Sequence, residues 1–114
     1  MMIDISFKDI PGYEGLYGAT SCGRIWSYRL NGGKGAFMIP ELLDNGYLRI
    51  GLSKDGKVKR YRVHRLVALA YLGEPESDDM EIDHIDGDRL NNCVKNLRWV
   101  THKENCAFKD PAVV

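Results

Sequence analysis

One stretch limits the possible folds of this chain more than any other: Met80 to Asn105. It opens with a short run, Met80-Glu81-Ile82-Asp83-His84, and passes through a polar loop containing Gly87, Asn91 and Asn92. It then resumes as Leu97-Arg98-Trp99-Val100 and turns into Thr101-His102-Lys103-Glu104-Asn105. Short runs rich in Ile, Val, Leu and Trp, bounded by turn residues, read as strands. Thr101 with Glu104 three residues on is a capping box, which makes Thr101 the N-cap of a helix. Strand, loop, strand, helix is therefore the expected order, with Asn105 one turn inside the helix. Neighbours on a strand face opposite sides, so Asp83 and His84 divide their tasks if the strand end twists. A carboxylate, an imidazole and an amide meeting at one point suit a divalent cation and an activated water.

This stretch resembles the ββα-metal core of HNH endonucleases, in particular those of the phage and intron homing type. The residues that carry the resemblance are Asp83-His84-Ile85-Asp86-Gly87, Asn91-Asn92, Asn96 to Thr101, and Asn105; upstream, Val63 to Ala68 resembles the helix that precedes that core. The resemblance implies an endonuclease that hydrolyses DNA phosphodiester bonds, leaving 5′-phosphate and 3′-hydroxyl ends. It implies His84 as general base and Asn96 as the residue that fixes the loop and the base. Asp83 and Asn105 become ligands of one divalent cation, with His102 as a possible extra ligand or phosphate contact. The last letter of the family name stands for His, and this chain has Asn105 there, as some of the homing branch do. Two oxygen ligands and no thiolate point to Mg²⁺ or Mn²⁺. A degenerate core that binds DNA without cutting it is the alternative.

Cys22, Cys93 and Cys106 show no Cys-x-x-Cys spacing. They are expected to be thiols in a reducing cytoplasm, with no structural zinc. The chain has no secretory signal pattern and no apolar run long enough to span a bilayer, so a cytoplasmic protein of a bacterium or phage-infected cell is expected. At 114 residues it is one domain, or one with a small appendage. A single active site cuts both strands only by acting twice or by pairing, so a homodimer is possible.

Net charge is zero, from 16 basic and 16 acidic residues, which by itself argues against a nucleic-acid partner. The distribution reverses that argument. Gly46 to Tyr71 holds seven basic residues and one acid, whereas Leu72 to Asn92 holds eight acids and only Arg89. The first block suits phosphates and the second a cation; two such blocks also pair with each other.

Tyr47 to Val63 reads as a hairpin about Asp55-Gly56, a strong two-residue turn signal. That turn pairs Lys54 with Lys57, Leu52 with Lys59, Ile50 with Tyr61 and Leu48 with Val63 on the core face. It pairs Ser53 with Val58, Gly51 with Arg60 and Arg49 with Arg62 on the other. Like charges directly opposite are unfavourable, and a phosphate backbone across that face would relieve them. Arg49, Arg60 and Arg62 of that face, with Lys59 of the same strand and Arg65 of the helix beyond it, are the candidate DNA contacts; a solvated edge is the competing reading, and both stand at this point. Val63, Leu66, Val67 and Ala70 give the helix that follows an apolar stripe, with His64 as a structural hydrogen-bond partner.

Ahead of the hairpin, Phe7 to Tyr17 and Gly23 to Ser27 are rich in turn residues and aromatics, and resemble the small NUMOD-class module found before HNH cores. The fold expected from all of this is α+β. A β-rich module spans 1–45, and the hairpin, helix and ββα-metal core span 46–114. Tyr13, Tyr17 and Trp26 are as well suited to the core as to base contact.

Overall fold

A computed structural model describes residues 7–109, with side chains through Asn105. Four short strands, β1 (Phe7–Asp9), β2 (Tyr17–Thr20), β3 (Ile25–Ser27) and β4 (Ala36–Phe37), form an antiparallel meander in that order. Tight turns connect them. At Gly23, φ is +86° and a Cβ would lie 2.5 Å from the Asn92 backbone, so only glycine fits. Gly35 closes the Asn31–Gly35 loop onto the Trp26 ring in the same way. Tyr17 is buried in the core, so the core role prevails for it, whereas half-buried Trp26 sits in an aromatic cluster with Phe7 and Phe37 (centroids 4.8 and 4.9 Å away).

A second sheet comprises β5 (Glu41–Leu42), β6 (Leu48–Lys54) and β7 (Lys57–Arg62). Asp55 and Gly56 both have positive φ, 53° and 76°, as a twisted two-residue turn demands. The register runs from Lys54↔Lys57 to Arg49↔Arg62, as the turn dictates, and puts Ile50 and Leu52 in the core. The expected Leu48–Val63 pair does not form part of this ladder. Val63 instead opens helix α1 (Val63–Tyr71), because an extended Arg62 serves as its N-cap. Val63, Leu66, Val67 and Ala68 are the buried residues of α1; Ala70 packs at the margin of the core. Gly73, at φ +81°, ends the helix with its N–H on the Ala68 carbonyl at 3.1 Å.

The third unit is the expected strand-loop-strand-helix: β8 (Met80–His84), a 3₁₀ turn (Val94–Asn96), β9 (Leu97–Thr101) and α2 (His102–Lys109). β8 and β9 pair antiparallel, Asp83 opposite Arg98 and His84 opposite Leu97. The capping box is formed: Glu104 N–H donates to Thr101 Oγ1 at 3.1 Å and Thr101 N–H to Glu104 Oε1 at 3.0 Å. Asp110-Pro111, expected to close α2, and the Cys106 side chain lie outside the described residues.

One core joins the three units. Ile10, Tyr17, Ala19 and Ile25 from the first sheet meet Ile50 and Leu52 from the second, and Val63, Leu66 and Val67 from α1, with Leu97 from β9. Full burial of an aliphatic side chain such as Leu52 or Leu66 contributes about 1.5–3 kcal/mol. Among the described residues no helix is long and apolar enough to cross a membrane.

Candidate active site

The end of β8 carries two buried polar side chains in succession, Asp83 and His84. Strand alternation directs them to opposite faces. A buried carboxylate needs a counter-charge, and the cross-strand neighbour Arg98 supplies it. Arg98 Nε and Nη2 reach Asp83 Oδ2 at 3.0 and 2.9 Å. Asp83, expected as an open metal ligand, is thus ion-paired in this structure. Arg98 was detectable in principle, because the β8–β9 register sets it opposite Asp83.

His84 is held from the far side of the loop: its Nε2 lies 2.8 Å from Asn92 Oδ1, with both residues buried. An amide oxygen only accepts, so Nε2 is the donor in this bond. Two aromatic rings pack on the imidazole, His64 with a centroid separation of 4.9 Å and Tyr47 at 6.0 Å. His64, expected as a structural hydrogen-bond partner, is the nearer of the two and meets His84 through its ring.

Asn96 acts on the loop. Its Nδ2 donates to Asp86 Oδ1 and to the Asn91 carbonyl, both at 2.9 Å, while Asp86 N–H donates to its Oδ1 at 3.0 Å. The backbone adds Ile85 N–H to the Asn96 carbonyl at 2.8 Å. The Asn91 amide, the Asp88 N–H and the Asn96 amide hold the Asp86 carboxyl below its ordinary value, the Asn91 bond most strongly. Loop fixing is therefore the geometry Asn96 displays, while Asn92 makes the direct contact with His84. Sequence reasoning singled out Asn91-Asn92 as loop residues without seeing that the second one reaches His84.

Asn105 is buried on α2. Its Nδ2 donates to Glu81 Oε1 at 2.6 Å, which turns the amide so that Oδ1 faces the other way. That Oδ1 is buried with no hydrogen-bond partner among the described residues. A buried carbonyl oxygen without a donor costs about 1–3 kcal/mol, and a hard cation is a physical answer to it. Glu81 shares a face of β8 with Asp83 and also takes His102, whose Nδ1 lies 3.3 Å from Oε1. His102 itself is exposed. Among the described residues no set of three His, Cys, Asp or Glu side chains is arranged to hold a metal, so a cation here relies on the Asn105 amide. Asp83 and Asn105 are hard oxygen donors that suit Mg²⁺-like ions.

Beside these groups lies a cleft of about 350 Å³, lined by Tyr47, Arg62, His64, Arg65, Glu81 and Asn105 among others. Asn105 shares it with the two rings that pack on His84, whereas Asp83 and His84 themselves do not line it. Arg62 lies over the Tyr47 ring at 4.6 Å and Arg89 at 4.8 Å. Arg89 was not foreseen as part of this group, because it stands alone among acids in the sequence. On the hairpin, Lys59 and Arg60 are exposed. Arg49 is not left to repel Arg62: Glu41, its neighbour in β5, pairs with it at 2.6 Å. A protein carboxylate thus supplies the relief assigned to a phosphate at that position.

Comparison with known proteins bears on the family and the fold. Residues 61–107 match the HNH endonuclease family, and residues 6–53 match the NUMOD4 motif. The DNA endonuclease I-HmuI of Bacillus phage SP01 is 42% identical over 101 residues, 89% of this chain and 55% of that protein. An uncharacterized HNH endonuclease of Acanthamoeba polyphaga mimivirus is 35% identical over 89 residues, 78% of this chain and 26% of that protein. A solved structure, described as DNA binding and cleavage by the HNH homing endonuclease I-HmuI, matches with a TM-score of 0.78 at 42% identity, over 89% of this chain and 55% of that one. The chain thus spans about half the length of the phage relative it matches.

Proposed function

Because the chain belongs to the HNH endonucleases of the phage homing type, with a NUMOD4 motif ahead of the core, we propose that it hydrolyses phosphodiester bonds of DNA with His84 as general base. One observation carries the reading. A buried histidine has one ring nitrogen tied to Asn92, and its ring packs on two residues lining a cleft that also holds arginines and an Asn105 carbonyl oxygen without a donor.

In this mechanism the scissile phosphate enters the cleft between Arg62 and Arg65. His84 takes a proton from water at Nδ1, and the water oxygen attacks phosphorus in line as the 3′ oxygen departs. Asp83 and Asn105 are the residues that would hold a divalent cation, Mg²⁺ or Mn²⁺. Both Arg98 contacts fall on Asp83 Oδ2, so Oδ1 is the oxygen we assign to the ion. When bound, such an ion neutralises charge on the phosphate and on the leaving oxygen. Glu81 aims the Asn105 carbonyl by holding its NH₂ group. Asn96 keeps the loop closed, and His102, on the exposed side of Glu81, is assigned to a phosphate contact.

The remaining assignments follow the same reading. Lys59, Arg60, Arg62 and Arg65 contact the DNA backbone, with Arg49 a weaker partner because of Glu41. Residues 1–45 help hold DNA and 46–114 cut it, in the cytoplasm of a bacterium or phage-infected cell. Cutting both strands requires two events or a second copy.

The Asp83–Arg98 ion pair favours one competing reading, a core that binds DNA and no longer cuts it. Plasmid nicking with Mg²⁺ or Mn²⁺, beside a His84→Ala control, decides between them. Nicking by the natural chain and none by the control supports the nuclease. Equally intact supercoiled DNA in both, across several metals, supports the binding module.

A further inference from the structure

The first sheet meets the catalytic loop at a contact that falls on the residues beside the base. The Ser21–Gly23 turn between β2 and β3 lies against residues 92–94, some seventy positions later in the chain. Val94 N–H donates to the Ser21 carbonyl at 2.9 Å, and Cys93 Sγ donates to the Cys22 carbonyl at 3.4 Å. Gly23 fits against Asn92 so closely that a Cβ would lie 2.5 Å from both its carbonyl carbon and oxygen. Three consecutive loop residues are thus held by three consecutive turn residues. The first of the three is Asn92, whose side chain ends on His84 Nε2 at 2.8 Å.

We infer that the Ser21–Gly23 turn is a positioning element for the general base: it seats Asn92, and Asn92 fixes the orientation and tautomer of His84. This rests on the nuclease reading for its consequence and on geometry alone for its mechanism. An imidazole is useful as a base only with the correct nitrogen bare. Asn92 sets which one by accepting from the other. A loop residue is mobile unless something holds its backbone, and here the holder is the N-terminal sheet. The β-rich module therefore does more than add DNA-holding surface. Without its turn the catalytic loop has no rigid backing on that side.

The test separates the two halves of the inference. In ¹⁵N-histidine-labelled protein, at alkaline pH where the rings are neutral, long-range ¹H–¹⁵N spectra report the tautomer of each of the three histidines, assigned by single His→Gln variants. The natural chain shows His84 protonated at Nε2. Asn92→Ala shows a mixture, and Asn92→Asp, which keeps an acceptor oxygen, restores the single form. Gly23→Ala disturbs the turn strongly and is checked for folding by circular dichroism. Val94→Pro is the gentler variant. It removes the donor to Ser21 and exchanges one apolar side chain at the margin of the core for another, at the first position of a 3₁₀ turn after an extended Cys93 (ψ 139°), where proline is tolerated. Val94→Pro is expected to mix the His84 tautomers and to lower nicking about tenfold to a hundredfold, the usual range for residues that orient a site histidine. A folded Val94→Pro with the natural tautomer and natural nicking overturns the role of the turn. A pure Nε2-protonated ring in Asn92→Ala overturns the role of Asn92. Tautomers that respond to both Asn92→Ala and Val94→Pro in a chain that nicks no DNA support the positioning role of the turn and overturn the nuclease reading.

Discussion

Asp86 and Asn96 close a two-way link across ten residues. The Asp86 amide donates to Asn96 Oδ1 at 3.0 Å, and Asn96 Nδ2 returns to Asp86 Oδ1 at 2.9 Å. The loop between β8 and β9 is thereby pinched at its base, with His84 and Leu97 just outside the pinch. Asn96→Ala removes three hydrogen bonds from a buried position and is expected to cost about 2–4 kcal/mol, read from the midpoint of urea unfolding. Asn96→Asp should do no better, because it removes the donors and sets a carboxylate against Asp86. An Asn96→Asp variant of natural stability would show that the link does not bear on the fold.

The Asp86 carboxyl also gives this loop a pH dependence. Its folded pKa is lowered from the ordinary 3.8 by the Asn91 amide, the Asp88 N–H and the Asn96 amide. A depressed carboxyl stabilises the fold at pH values above its unfolded pKa, and that contribution fades as pH falls through the folded one. Acid should therefore loosen residues 85–96, below about pH 4. Amide exchange of Ile85 and Asp86 followed from pH 5 downwards reads this directly. Asp86→Asn should remove the pH dependence of their protection, and a variant that keeps it would locate the titrating group elsewhere.

Helix α2 depends on its cap in the same measurable way. Thr101 and Glu104 exchange two hydrogen bonds, and those bonds hold the Glu104 carboxyl below its ordinary value, the Thr101 amide most strongly. Loss of an N-cap hydroxyl typically costs about 0.5–2 kcal/mol. Thr101→Ala is expected to lie in that range by thermal or urea unfolding and Thr101→Ser to recover most of it. Because α2 carries Asn105, the alanine variant should also weaken Mn²⁺ binding, which the serine variant restores.

These particulars show which features the sequence discloses and which it hides. The hairpin register was legible because Asp55-Gly56 sets it locally, and the capping box because both partners lie within one turn. The contacts around His84 were not legible. Asn91 and Asn92 are the same residue type side by side, and only the folded loop turns one toward Asp86 and the other toward His84. Glu81 looked like one acid among eight, and its link to Asn105 spans 24 residues and needs α2 to be docked. Arg49 looked unpaired because Glu41 reaches it only through a two-residue strand that carries little sequence signal. Local geometry can be read from spacing; a contact between distant segments exists only once the core has brought them together.

Glu81 is expected to govern cation affinity. It holds the NH₂ end of the Asn105 amide, which leaves the carbonyl oxygen for the ion. Glu81→Ala frees that amide to rotate and should weaken Mn²⁺ binding about tenfold to a hundredfold, measured by electron paramagnetic resonance titration in the absence of DNA. Glu81→Gln keeps an acceptor oxygen and should lose less. Equal affinity in Glu81→Ala and the natural chain would show that Asn105 needs no such support, or that the ion binds elsewhere.

The basic hairpin offers a test with an internal control. Lys59 and Arg60 are exposed on β7, whereas Arg49 pairs with Glu41 at 2.6 Å. Each phosphate contact adds about 0.9 to the slope of log affinity against log salt for duplex DNA. Arg60→Ala and Lys59→Ala should each lower that slope by about one and weaken binding across all DNA sequences alike. Arg49→Ala should change it less, because the guanidinium already has a counter-charge and its loss releases Glu41 as a new repulsive group. Glu41→Gln then becomes informative, since freeing Arg49 should strengthen DNA binding at low salt. Slopes that do not respond to Lys59 or Arg60, with a full effect from Arg49, would place the DNA on the opposite edge of the sheet, along β5.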